Sequence, residues 1–440
     1  MTDTLTALSQ QLDAGTAQRA RYDAAYEGRS PMSYLAPAAK VALGSGFNAL
    51  GSNVCRVAVT ALAERLRVTG FTVDGAAAPE LWAAWLANDL DQLAGTAHRE
   101  ALVHGASYVI VWADAEGAPL VTIESAHQVT VQRDPATRRV VSALKRWGTP
   151  TGTEAILYGP EQVIKYRSDT VGAASAGQFR VVESLDNPLG VVPVVELANT
   201  DRLLGGGASE LADLLPLQDA LDKLLADLLV ASEYYARPRR WATGVELEEV
   251  EELDEDGEPT GELVAENPFP EGDRMLLAED PAAKFGSLPA ADLKAYESAL
   301  AVITSQIQTV AGLPAHYLGV NSVQPPSADG LRAAEASLTA RAEARQATFG
   351  RAWEKVARLM HGILTGRFDA EVRVSWADAA TRSIAQEADA VTKLYQAGLL
   401  PASYALARLG YGADEVDAIR AARRAEALDN TGTDLGELLA

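Results

Sequence analysis

The sequence predicts an α+β chain that is mainly helical, and three observations carry that reading. Apolar residues recur at steps of three and four over long stretches toward both ends. Just after Gly105 the period drops to two, the spacing of strands with one buried face. Later, the loop Leu313–Asp329, with Pro314, Pro325 and Pro326, interrupts two long striped segments, because each proline removes a backbone donor and restricts the residue before it. At 440 residues, 48% hydrophobic and 22% charged, the chain has the balance of a globular protein and the length for two or more domains.

In chain order, Thr2–Tyr26 reads as one amphipathic helix with Leu5, Leu8 and Leu12 on one side, ended by Gly28 and Pro31. A second helix over Phe47–Leu66 leads into the alternating run Arg67–Val73, closed by the turn pair Asp74-Gly75. Pro79 to Gly105 reads as a single buried helix carrying Leu81, Trp82, Trp85, Leu86, Leu90, Leu93, Ala97, Ala101 and Leu102. The β-rich segments Ser107–Trp112, Pro119–Glu124, Val129–Arg133, Val140–Trp147, Glu154–Tyr158 and Gln162–Arg167 then predict one antiparallel meander. Phe179–Glu183 and Val191–Leu197 complete the β material.

The glycine run Gly205–Gly207 opens a helix striped with Leu211, Leu214, Leu215, Leu221, Leu224, Leu225, Leu228 and Leu229. The run lacks the lysine and spacing of a phosphate loop, and Glu210 sits where an anion would bind, so it reads as a hinge. Asp213, Asp219, Asp222 and Asp227 lie elsewhere on that helix and give it an acidic side. After Pro238 come a short strand, Arg239–Gly244, and an acidic segment, Val245–Glu262, with ten acidic residues and no basic one. Its run from Glu252 to Gly257 imitates a calcium loop but places Leu263 where the bidentate acid belongs, so an exposed hairpin tip is the better reading. Strands at Arg274–Leu277 and Ala283–Phe285 lead to a helix with Leu293, Tyr296, Leu300, Ile303, Ile307 and Val310 as its seam. Beyond the proline loop a helix capped near Ser327–Asp329 runs roughly ten turns with Leu331, Leu338, Ala342, Phe349, Trp353, Val356, Met360 and Ile363 as its stripe. A strand at Ala370–Trp376, helices at Thr381–Ala397, Pro401–Leu409 and Asp414–Leu428, and a polar tail finish the chain.

Chemistry is harder to find than architecture. Cys55 stands alone, which excludes an internal disulfide framework and fits a core position. The five histidines show no metal-ligand spacing, and no nucleophile elbow, Walker loop or dinucleotide fingerprint is present, so no enzyme, cofactor or metal is expected. A net charge of −22 argues against a tight grip on nucleic acid. No signal peptide or membrane span is legible. The two striped helices around the acidic segment predict a projecting hairpin, and their leftover apolar surface predicts side-by-side packing with copies of the same chain.

Several local runs resemble one family, the portal proteins of tailed double-stranded DNA bacteriophages, particularly those with long tails. They are Arg65-Leu66-Arg67-Val68-Thr69-Gly70-Phe71, Trp85-Leu86-Ala87-Asn88-Asp89-Leu90-Asp91, Val192-Pro193-Val194-Val195 with Leu217-Gln218-Asp219-Ala220, Ala236-Arg237-Pro238-Arg239-Arg240, and Pro325-Pro326-Ser327-Ala328-Asp329-Gly330-Leu331 with Ala334-Glu335. The resemblance implies a non-enzymatic subunit of a dodecameric ring at one capsid vertex, assembled in the host cytoplasm and traversed by double-stranded DNA. The packaging motor (the terminase large subunit), the head-tail adaptor and the major capsid protein would be its other partners, with no membrane involved. It further implies a wing from residues 1–207 and 330–382, a stem from 208–238 and 287–312, a clip from 239–286, a tunnel loop from 313–329 and a crown with tail from 383–440.

In that layout Val320, Asn321, Ser322, Val323, Gln324, Pro325 and Pro326 face the channel. Asp213, Asp219, Asp222 and Asp227 are the acidic stem, and Glu246, Glu248, Glu249, Glu251, Glu252, Asp254, Glu255 and Asp256 form the clip interface. The alternative to this layout is a non-enzymatic cytoplasmic scaffold whose long helices bind a partner protein.

Overall fold

The computed structural model describes residues 2–29, 51–203, 206–236, 240–244, 249–253, 259–265, 281–287, 293–319, 327–380, 384–411 and 415–426. The first segment folds as two helices, α1 (Thr2–Ala14) and α2 (Thr16–Tyr26), where one was expected, with the break at Gly15. Helix α3 (Val54–Ala63) leads to strand β1 (Val68–Val73), which turns through Asp74 and Gly75, both at positive φ, into the short β2 (Ala76–Ala77). The expected long helix from Pro79 is also two, α4 (Pro79–Ala87) and α5 (Leu90–His104). Asn88 makes the break: its amide donates to the Ala84 and Pro119 carbonyls at 2.9 Å each, and its oxygen accepts from the Val121 N–H at 2.8 Å. A side chain that serves another strand this way competes with helix continuation, and Asp89 follows at φ +53°.

The predicted single meander is two sheets. Strands β3 (Ala106–Ala113) and β4 (Pro119–Ser125) form a hairpin, and β10 (Val194–Ala198) returns to pair with β3. The five-stranded meander is β5 (Val129–Arg133), β6 (Val140–Thr149), β7 (Gly152–Tyr158), β8 (Gln162–Ser168) and β9 (Arg180–Asp186), antiparallel throughout. Strand β3 is buried on both faces, with Val109 and Val111 in the helical core and Tyr108 and Ile110 against the second sheet. Helix α1 closes the other side of the meander, setting Leu5 and Leu8 against Leu144, Ala155 and Leu157.

Next comes a helical hairpin, α6 (Leu215–Ala236) and α7 (Lys294–Ala311), which pack on one another. Between them β11 (Arg240–Thr243) pairs antiparallel with β14 (Lys284–Ser287), and β12 (Glu249–Leu253) pairs with β13 (Pro259–Ala265). The expected strand at Arg274–Leu277 lies outside the described residues.

Helix α8 (Ala328–Thr365) is 38 residues long and starts at Ser327, whose hydroxyl accepts from the Gly330 N–H at 3.1 Å, as an N-cap serine does. Its predicted stripe is the core: Leu338, Ala342, Phe349, Trp353, Val356 and Met360 are buried. Trp353 meets Trp85 edge-on at 5.0 Å, while His98 stacks on Phe349 at 5.4 Å. Strand β15 (Val372–Trp376) then pairs with β1, so the chain closes its first sheet almost at its end. Helices α9 (Ile384–Gln396) and α10 (Ala402–Arg408) and a helical stretch at 415–426 follow.

Candidate functional site

The hairpin's root is held by a buried ion cluster that the sequence did not announce. Glu210 accepts from Arg341 at 2.5 Å and from Arg345 at 2.7 Å, two guanidiniums one turn apart on α8. The Asn199 amide adds a third donor at 3.1 Å, and the Glu210 N–H is bonded to the Leu102 carbonyl at 2.9 Å. Burial alone would push the Glu210 carboxyl up; the two arginines outweigh it and hold it below the usual carboxylate range. Arg341 also donates to the Val310 carbonyl at 2.9 Å, a cation placed on the last turn of α7 where the helix dipole favours it. One arginine thus joins the approach to α6, the end of α7 and the middle of α8.

The glycine run read as a hinge has another use in the part that is described. A Cβ on Gly207 would lie 1.8 Å from the Gly105 carbonyl oxygen, and one on Gly105 would lie 2.5 Å from that of Gly207. Both positions are glycine because two backbones cross there, and Gly105 in addition sits at φ +87°.

The four acidic positions on α6 and the approach to it separate in the structure. Asp213 is exposed. Asp227 pairs with Lys223 one turn away on its own helix. Asp219 lies 3.5 Å from Arg21 on α2. Asp222 is buried and accepts from both the backbone N–H and the hydroxyl of Ser52 at 2.9 Å, while Gln218 accepts from the Cys55 N–H at 3.0 Å. These two side chains satisfy donors at the start of α3, so this part of α6 is a fastening to the body. Burial pushes the Asp222 carboxyl up, and the Ser52 bonds pull against it without reversing the shift.

At the proline loop, α7 ends at Gly312 (φ +64°), Leu313 is buried, and a short 3-10 turn at Ala315–Leu318 closes on Gly319 (φ +72°). Arg65 braces this shoulder to α8: it pairs with Glu335 at 3.2 Å, reaches the Tyr317 hydroxyl at 3.4 Å and donates to the Ala379 carbonyl at 2.7 Å. Val320, Asn321, Ser322, Val323, Gln324, Pro325 and Pro326 lie outside the described residues. So do Glu246, Glu248, Asp254, Glu255 and Asp256, whereas Glu249, Glu251 and Glu252 lie on β12.

Elsewhere, burial pushes the Cys55 thiol up to about 12, the value of an inert core cysteine. His98 is fully buried, accepts from the Trp353 indole N–H at 2.7 Å and has its pKa lowered to about 3 by burial, so it is neutral. No helix among the described residues is long and apolar enough to cross a membrane.

The hairpin is thus rooted by ion pairs in an α+β body, with a long helix tying both together. Residues 48–428 match the family model described as phage portal protein, SPP1 Gp6-like. The portal protein of Mycobacterium phage L5 is 31% identical over 389 residues, covering 83% of this chain and 77% of that protein. That of Mycobacterium phage D29 is 31% identical over 394 residues, with the same shares covered. Among solved structures, a chain of the virion of a native gene transfer agent particle aligns with a TM-score of 0.46 at 14% identity, covering 82% of this chain and 90% of that one. The chain belongs to the phage portal protein family. It is a virion structural protein, of a class that is structural and not enzymatic in general.

Proposed function

We propose that copies of this chain close a dodecameric ring at one vertex of the capsid and that double-stranded DNA passes through its bore during packaging and ejection. In this reading the body is the wing, the hairpin α6–α7 is the stem, β11–β14 belong to the clip, and the C-terminal helices form the crown. The family match across most of the chain carries the reading. The hairpin supports it: Leu229 and Val302 stand exposed in the single chain, as a surface awaiting a neighbouring copy would. The clip would meet the terminase large subunit on one occasion and the head-tail adaptor on another, and the wing would face the major capsid protein. Assembly takes place in the host cytoplasm, and the ring itself performs no catalysis.

Residues 320–326 contain no Lys or Arg. A loop of neutral donors and acceptors touching phosphate without charge-assisted bonds suits passage better than holding. The test is Asn321→Arg with Gln324→Arg: the ring assembles, as judged by particle mass and negative-stain imaging, while packaging and ejection slow. Unchanged DNA movement in the double variant would remove these residues from the bore, and a monomeric or dimeric wild-type protein would remove the ring.

A further inference from the structure

We propose that Asp23, His104 and His127, with Glu100 beside them, form a site for a first-row divalent cation of the zinc type. Three segments far apart in sequence meet there: Asp23 on α2, Glu100 and His104 in the last two turns of α5, and His127 in the link from β4 to β5. His127 Nε2 lies 2.8 Å from one oxygen of Asp23, and His104 Nε2 lies 3.2 Å from the other. The two imidazoles meet edge to face at 4.9 Å, and the three ligand atoms fall within 4.8 Å of one another. Glu100 Oε2 is 3.7 Å from His104 Nε2 and, although that atom is buried, has no hydrogen-bond partner among the described residues.

Four donors around a zinc ion at ~2.0–2.1 Å stand about 3.3 Å apart at tetrahedral angles, and the separations of 2.8, 3.2 and 3.7 Å lie within about 0.5 Å of that spacing, with each imidazole on a different Asp23 oxygen. The donor set is two imidazoles and two carboxylates, which suits zinc and its neighbours better than magnesium or calcium, since those prefer all-oxygen shells. The arginines of α2 turn elsewhere: Arg19 directs its guanidinium to the Leu12 carbonyl and the Thr16 hydroxyl, and Arg21 lies 3.5 Å from Asp219. Two carboxylates converge on the two imidazoles. Asp23 and His127 are half-exposed, so an ion can enter without unfolding, whereas the His104 side chain is buried. A bound ion would pin α2 to the helical core and to the β4–β5 link, a role independent of DNA passage.

The test uses the full-length protein, stripped with a chelator and titrated with zinc by calorimetry and with cobalt by visible absorption. The proposal expects one equivalent per chain and the intense visible bands of four-coordinate cobalt. His127→Ala and Asp23→Asn, both at half-exposed positions and both checked for unchanged circular dichroism, lose affinity by on the order of 100-fold or more, beyond the ~10–100-fold cost of an outer-shell partner. His316→Ala leaves binding intact. No binding by the wild-type protein, or binding that survives both His127→Ala and Asp23→Asn, overturns the proposal and leaves the portal reading untouched.

Discussion

The body and the hairpin are both built on amphipathic helices, yet they dispose of their apolar faces differently. In the body, α8 buries the centre of its stripe: Phe349, Trp353, Val356 and Met360 are each 0% exposed, and Trp85 and His98 fill the space against them. In the hairpin, Leu221, Ala226, Ile307 and Ala311 are buried, while Leu229 is 36% and Val302 59% exposed. The first arrangement is complete in one chain. The second leaves apolar side chains exposed on its helices, which in the proposed ring would face neighbouring copies.

The largest effect that could break this contrast is in the body. Trp353→Ala removes the ring that Trp85 and His98 pack on and should cost about 3–5 kcal/mol, read as a steep fall in the thermal midpoint of the unassembled chain. A loss under about 1 kcal/mol would mean the body is not the self-sufficient part.

The junction between the two regions comes next. Glu210→Gln leaves Arg341 and Arg345 without their counter-charge; both are partly open to water, so about 2–3 kcal/mol is expected in place of the full cost of a deeply buried pair. Because the folded carboxyl titrates below its ordinary 4.5, its contribution is present above that pH and is lost as pH falls through the depressed folded value. Wild-type protein should therefore lose stability on acidification below about 4.5 more steeply than Glu210→Gln, measured by denaturant titration at several pH values.

The smallest effect on the single chain should be Val302→Asp. An exposed substitution changes folding stability by no more than about 0.5 kcal/mol, whereas a charge in a subunit interface blocks closure of the ring. Mass photometry of the variant should show unassembled chains that melt normally. A ring of wild-type mass would place Val302 on the outside and sharpen the contrast to α6 alone.

The parts of this design that were legible in the sequence are those that depend on near neighbours. The stripe of α8 and its cap at Ser327 follow from helical spacing and a local hydrogen bond, and the strands of the meander follow from β-rich runs bounded by turn residues. What escaped depends on distant partners. Asn88 breaks a helix because Pro119 and Val121 wait for it, and β10 leaves the meander because β3 offers it an edge. Gly207 is glycine on account of Gly105, and Asp222 serves α3 where its position on α6 suggested an acidic outer face. For Glu210 the only local signal was a carboxylate beside the start of a helix, and its arginines lie on α8.

The pairing of β1 with β15 has a consequence for how the protein is made. Val73 is matched to Val372 and Val68 to Trp376, so the first strand of the body cannot be completed until nearly the whole chain has left the ribosome. At ~5–20 residues per second the interval is on the order of 15–60 s, during which the entire hairpin is synthesised. Trp85 lacks Trp353 for the same period. The apolar surface of the hairpin therefore emerges before the body that carries it is finished, and the proposed ring would wait on the last quarter of translation.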